Sequence, residues 1–262
     1  MATVIQLKDA DFSNQGLPNL ETMVQKSALS YWYDLRNGNI KDQISNVTAK
    51  LWKTDFVAKT TVATTPDQIL TQSADKLSVK VARGGTIATF KSTRDYALTT
   101  DKFTAMIIGG MGEGVSSSAP LLNFGNGMQP TGQIPSIEGS ATEIGYRVKA
   151  GSGYRASSAI TQAKLYFIVL VYDGTNFNFY NKTTGLKDVK TLTSLAITSA
   201  LTKITVPVDG VNHTFGNTHT NSTVADREIH LGQVAFWDKV AFTDAEVEQQ
   251  YQNMKALYGA TI

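Results

Sequence analysis

The sequence predicts an all-β protein, an antiparallel β-sandwich closed by one short C-terminal helix. Three observations carry this. Short runs rich in Val, Ile, Tyr, Phe and Thr recur from Ser30 onward, separated by Gly, Asn, Asp and Ser, which is the pattern of strands joined by tight turns. One run, LYFIVLVY (165–172), is apolar at every position, as a strand covered on both faces requires. Strong helical periodicity appears only after Phe242, whereas a parallel α/β fold needs a helix between successive strands.

Taken in order, residues 1–28 stand apart from the rest of the chain. They hold a short apolar run (Val4, Ile5, Leu7), a turn at Gly16-Leu17-Pro18 and then LETMVQKSAL, long enough for about two helical turns. This stretch reads as an attachment segment, and residues 29–262 read as one domain. SYWYDL (30–35) opens the strands, and Asn37-Gly38 is a turn signal behind it. KLSVKVA (76–82) alternates apolar and polar positions, as a half-buried strand does. TIATF (86–90), FTAMIIGGM (103–111), LLNFG (121–125), EIGYRV (143–148), FNFYN (177–181), KITVPV (203–208) and HLGQVAFWD (230–238) continue the series. Asp173-Gly174 predicts a hairpin between LYFIVLVY and the aromatic strand after it. The Gly-rich stretch 109–139 reads as a loop; no helix comes after it, so it is not a phosphate cradle. Trp32 and Trp237 lie inside strands and read as core anchors.

Composition narrows the function. The chain has 262 residues, 42% hydrophobic and 18% charged, which suffices for a core. A net charge of +2 with scattered Lys and Arg excludes a nucleic-acid partner. The absence of cysteine excludes disulfides, thiolate zinc and a cysteine nucleophile. No segment approaches the ~20 apolar residues of a membrane helix, and the opening residues carry no signal-peptide pattern. The chain is therefore expected to fold in a cytoplasm. Sequons at Asn46, Asn181, Asn212 and Asn221 fit the general abundance of Asn and Thr.

The final helix is specified in detail. Thr243 and Glu246 form a capping box. Asp244, Glu246 and Glu248 load the N-terminal end with negative charge. Val247, Tyr251, Met254 and Tyr258 make one apolar stripe, Phe242 is placed to staple onto Val247, and Gly259 closes the helix.

This tail, GQVAFWDKVAFTDAEV from Gly232 to Val247 and ending at Tyr258-Gly259, resembles the end of concanavalin A-like lectin/glucanase domains of the laminin-G type. KLYFIVLVYDGTNFNFYNKTTG (164–185) is similar to the hairpin of that family, and SYWYDLRNGNIKDQISN (30–46) to its opening strand, so the resemblance implies that the sandwich is a jelly roll. The first 20 residues, with LKDADFSNQGLPNL, resemble the beginnings of bacteriophage and prophage virion proteins. The resemblance implies a non-enzymatic virion protein, a tail, fibre or decoration component. It would contact other virion proteins and bind a glycan, such as a bacterial surface polysaccharide, or the host surface through its loops. A homo-oligomer suits a fibre, although no coiled-coil heptads predict one. A purely structural virion module, or a glycoside hydrolase or lyase on the same fold, is the alternative.

Candidate residues are chosen by their chemistry. Glycan binding needs aromatic faces together with amide and charged groups. Tyr154 and Arg155 stand in a Gly/Ser loop, Asn123 and Asn126 in a second and Asn217 and His219 in a third, so these six are the expected ligand residues. Family members bind calcium through loop carboxylates and amides, which makes Asp173, Asn176 and Asp226 the candidate calcium ligands. Hydrolysis on this fold uses carboxylates alternating along one strand. Asp226 and Glu228 have that spacing, but His230, Leu231 and Gly232 stand where a third carboxylate belongs, and no enzyme is expected. His213, His219 and His230 lack close metal-ligand spacing.

Overall fold

The computed structural model describes residues 23–55, 60–82, 84–90, 102–115, 118–123, 135–148, 156–195, 211–216 and 228–262. In chain order the strands are β1 (Leu29–Asp34), β2 (Lys50–Asp55), β3 (Thr60–Ala63), β4 (Leu70–Gln72), β5 (Val79–Val81), β6 (Gly85–Phe90), β7 (Phe103–Met111) and β8 (Ala119–Asn123). They continue as β9 (Ser136–Gly139), β10 (Glu143–Arg147), β11 (Ala156–Ala159), β12 (Tyr166–Tyr172), β13 (Asn176–Asn181), β14 (Leu186–Thr191), β15 (Val211–Gly216) and β16 (Ile229–Asp238). A one-turn helix, α1 (Pro66–Ile69), sits between β3 and β4, and α2 (Asp244–Tyr258) comes after β16.

Two antiparallel sheets result. The first runs β14-β13-β12-β7-β16-β5-β4, with β1 also paired to β16. The second runs β11-β10-β9-β8-β15-β6-β2-β3. Strand β16 serves two partners on one edge: residues 229–231 pair with β5 and residues 233–237 with β1. Gly232 marks the switch, where its carbonyl accepts from Leu35 N at 2.9 Å. A Cβ there would stand 2.5 Å from the Tyr258 hydroxyl and 2.9 Å from the Leu77 carbonyl, so only glycine fits.

The core between the sheets is aromatic. Tyr31, Phe103, Tyr146, Tyr172, Phe177, Phe179, Phe215 and Phe236 are buried within it, and Tyr172 stacks on Phe177 at 4.8 Å. A second core lies on the outer face of the first sheet. There Trp32, Met106, Ile108, Phe167, Val169, Val171, Ala235 and Trp237 meet Phe242, Val247, Met254 and Tyr258 from α2 and its approach. Both faces of β7, β12 and β16 are thus covered, which explains their near-continuous apolar sequences. The two tryptophans are fully buried, as expected.

Helix α2 keeps its predicted caps. Glu246 N donates to the Thr243 hydroxyl at 3.3 Å, and Thr243 N donates back to the Glu246 carboxylate at 2.8 Å. Gly259 adopts φ 59° at the C-terminal end. Phe242 packs against Trp237 with ring centres 4.7 Å apart. The stripe covers a sheet face, and it contains Gln250, which is fully buried. Gln250 accepts from Val24 N at 2.8 Å, and the Val24 carbonyl accepts from the Trp237 indole at 2.9 Å. Residues 23–28 form a strap stitched across α2 and β16.

Several expectations need correction. Over the described part of LETMVQKSAL, the chain makes a turn and one 3-10 turn (Lys26–Ala28), and β1 already begins at Leu29. Gln25 has a left-handed φ of 50°, incompatible with a continuing α-helix. KLSVKVA is a strand only over Val79–Val81; Lys76 has φ 59°, inside a turn tied by Asp75 to Leu77 N. The stretch 109–139 is not one loop, because β7 runs through Gly109 and Gly110 to Met111, and β8 and β9 come after it. A Cβ at Gly110 would overlap the Lys164 carbonyl at 1.9 Å, so glycine lets the backbones approach. KITVPV lies outside the described residues.

Replacing Gln250 by Ala would strip the strap of its side-chain acceptor. Urea unfolding of the Gln250→Ala variant should register a loss of about 1–3 kcal/mol, whereas a loss within experimental error would mean that the strap is held by packing alone.

Candidate functional site

The register of the second sheet builds a polar strip from residues far apart in sequence. One row of side chains turns into the core: Leu51, Ile87, Phe215, Leu122, Ile137, Tyr146 and Ala156, linked strand to strand and all buried. Alternation then turns the adjoining row away from the core. That row starts at Lys50 (β2), crosses β6, and continues through Thr214 (β15), Asn123 (β8), Ser136 (β9) and Arg147 (β10).

The row is an unusual surface for a sheet. Thr214, Asn123 and Ser136 are 1, 7 and 6% exposed although they face away from the core, while Lys50 and Arg147 at the two ends are half-buried. Glu138 lies one row on. It forms an ion pair with Arg147 Nε at 3.1 Å and accepts from the Ser136 hydroxyl at 2.7 Å. Glu143 accepts from the Ser157 hydroxyl at 2.6 Å on the same side. The strip therefore gathers hydroxyl, amide, guanidinium, ammonium and carboxylate groups on one sheet face, with Thr214, Asn123 and Ser136 buried and the polar groups already engaged with partners.

Of the predicted ligand residues, Asn123 belongs to this strip, as the last residue of β8 rather than part of a loop. Tyr154, Arg155, Asn126, Asn217 and His219 lie outside the described residues, as does Asp226. Sequence reading did not find Lys50, Ser136, Glu138 or Arg147. Each is an ordinary polar position in its own strand, and only the pairing of six strands gathers them.

Asp173 and Asn176 come together, but in a turn. Asp173 Oδ1 accepts from Thr175 N at 2.8 Å and Asn176 N at 2.7 Å, and Oδ2 accepts from the amides of Asn176 and Asn178 at 3.2 and 3.4 Å. Burial alone would raise this carboxyl, but the backbone donors of Asn176 and Thr175, helped by the two amides, hold it below its usual range. The oxygens are occupied in shaping the β12–β13 hairpin. Glu228 contacts His230 at 3.2 Å and Lys80 at 3.5 Å, on the outer face of the first sheet. Among the described residues, no group of three or more His, Asp or Glu could hold a metal ion.

No protein-family model matches this chain, and no curated protein matches its sequence. Solved structures do. The chain is similar to the botulinum neurotoxin serotype D binding domain, with TM-score 0.57 and 7% identity over 87% of this chain and 51% of that one. It is similar to domain 4 of AbnA, a GH43 extracellular arabinanase from Geobacillus stearothermophilus, in complex with arabinotriose; here the TM-score is 0.55 and the identity 10%, over 85% of this chain and 97% of that one. The alginate lyase from Corynebacterium sp. gives 0.52 and 8%, over 79% of this chain and 99% of that one. The fold is a jelly-roll β-sandwich. The chain spans about half of the neurotoxin binding domain, but nearly all of the arabinanase domain and of the lyase. At such identities the likeness establishes architecture.

The Asp173 turn makes a pH prediction. Its folded carboxyl lies below the unfolded value, so its stabilisation is complete above about pH 4 and disappears as pH falls through the folded value. Asp173→Asn should lower the Tm at neutral pH and flatten the decline of stability in acid. Calcium should leave the wild-type Tm unchanged; a calcium-dependent rise that Asp173→Asn abolishes would assign this side chain to a metal instead.

Proposed function

We propose that the chain is a non-enzymatic carbohydrate-binding sandwich, working as a component of a phage or prophage virion. The observation that carries the glycan reading is the likeness to arabinanase domain 4, which was determined in complex with arabinotriose and is covered over 97% of its length. The partly exposed ends of the polar strip, Lys50 and Arg147, support it, because an ammonium and a guanidinium group can donate to sugar hydroxyls. Tyr154, Arg155, Asn126, Asn217 and His219 remain proposed ligand residues on the chemistry of their side chains. The virion reading rests on the resemblance of residues 1–20 to virion-protein beginnings and on the absence of cysteine, which suits folding in a host cytoplasm.

A second reading has its own support. The alginate lyase is covered over 99% of its length, so a complete enzyme can occupy this architecture. The carboxylates described on the strip side, Glu138 and Glu143, are engaged with Arg147 and serine hydroxyls, which favours binding over proton transfer.

A glycan array that includes bacterial surface polysaccharides, followed by a cleavage assay on every hit, separates these readings. The expected outcome is binding without cleavage, weakened about tenfold (~1.4 kcal/mol) in Lys50→Ala and Arg147→Ala. Cleavage would favour the lyase or hydrolase, and silence across the array a purely structural module. For the virion role, removal of residues 1–22 keeps the strap that begins at Met23. That truncation should abolish incorporation into particles and leave glycan binding intact.

A further inference from the structure

The segments on either side of β2 frame a pocket of about 490 Å³, within the roughly 300–1,000 Å³ usual for small-molecule sites. Backbone hydrogen bonds fix its walls. Ala49 N donates to the Ile40 carbonyl at 2.9 Å, and Thr64 N donates to the Leu51 carbonyl at 3.0 Å. Lys41 and Thr48 add an isolated bridge, and Ala63 pairs with Trp52 of β2. The frame is thus built from three chain segments tied to one another.

The lining has two characters. Ile40, Ala49 and Leu51 supply an apolar side continuous with the main core: Ala49 and Leu51 are buried members of that core, and Ile40 packs against it. Thr48, Thr65 and Lys50 supply hydroxyls and an ammonium group. Thr65 stands in the capping position of α1, yet its side chain makes no capping hydrogen bond, whereas the Thr64 hydroxyl bonds the Gln68 side chain. Lys50 also opens the polar strip of the second sheet, so pocket and strip meet at one residue.

We propose, building on the carbohydrate-binding reading, that this pocket is a saccharide subsite, seating one sugar unit with its C–H face toward Ile40, Ala49 and Leu51 and its hydroxyls toward Thr48, Thr65 and Lys50. A sugar ring is amphipathic in the same way as the lining, with an apolar face of C–H groups and a rim of hydroxyls. Two other ligand classes fit less well. A wholly apolar ligand would take water from the Thr65 hydroxyl and offer it no hydrogen bond, which costs free energy. A phosphate-rich ligand would meet a single cation among the described lining residues, where such ligands are ordinarily held by several charge-assisted donors.

A glycan array printed with bacterial surface polysaccharides and with defined neutral and acidic oligosaccharides tests this, read with the full chain and with two pocket variants. Ala63 stands exposed on the rim at the end of β3, so Ala63→Trp places an indole at the opening. Thr65→Val removes one hydroxyl and keeps the shape. At least one glycan should bind the wild-type chain. Its affinity should fall by about tenfold or more in Ala63→Trp and by about threefold to tenfold in Thr65→Val, with far-UV circular dichroism unchanged. Should Ala63→Trp disturb the fold, Thr65→Val decides the matter alone. Glycan binding that neither variant weakens overturns the subsite and leaves the carbohydrate-binding function standing. Silence of the wild-type chain across the array overturns both.

Discussion

The fold depends on one requirement: the first sheet has two apolar faces, and both must be covered. Strands β7 and β12 are buried at every position, and β16 at nine of its ten. The second sheet covers one face. The other would leave Trp32, Phe167 and Trp237 in water, at about 1.5–3 kcal/mol for each large side chain. Helix α2 and the strap from Met23 to Ala28 are the solution to that second face. A capped amphipathic helix at the end of a β-protein is therefore a lid over a sheet.

The lid is held by directional contacts as well as apolar ones. Gln250 lies fully buried among hydrophobic neighbours and reads the backbone at Val24, while Trp237 donates to the carbonyl of the same residue. Lys187 and the Tyr180 hydroxyl, from the outer strands of the first sheet, both reach Asp244 at the start of the helix; the Lys187 and Tyr180 hydrogen bonds hold that carboxyl below its usual range. Strap, helix and sheet edge thus fix one another. The second sheet turns its polar strip the opposite way.

Double use of β16 follows from the same economy of edges. Its first residues pair with β5 and its later ones with β1, and Gly232 at the fork leaves room for the Tyr258 hydroxyl. Arg36 salt-bridges Asp34 at 2.7 Å beside this fork and lies over the Tyr258 ring at 5.6 Å. Burial, reinforced by the nearby Asp34 charge, pushes the Tyr258 hydroxyl well above its usual range, so it stays neutral. The end of the helix is thereby locked to the point where the sheet divides.

What the sequence determined by itself is what short-range rules govern. Thr243 and Glu246 cap the helix through neighbouring backbone groups, Asp173-Gly174 closes a hairpin, and the all-apolar run of β12 announces two covered faces. Each is complete within a few residues. It also excluded cysteine chemistry outright, because composition needs no fold. Tertiary structure alone decided the rest. KLSVKVA alternates well enough to be one long strand, yet a turn takes its first half because Asp75 offers the backbone a local acceptor. Gln250 looks like a solvent-facing helix residue until its partner, 226 positions away, is in place. The polar strip is the clearest case: Lys50, Asn123, Ser136, Arg147 and Thr214 share no local pattern. They become neighbours only when six strands pair in register, and register is fixed by which residues the core accepts, a choice no single segment can make.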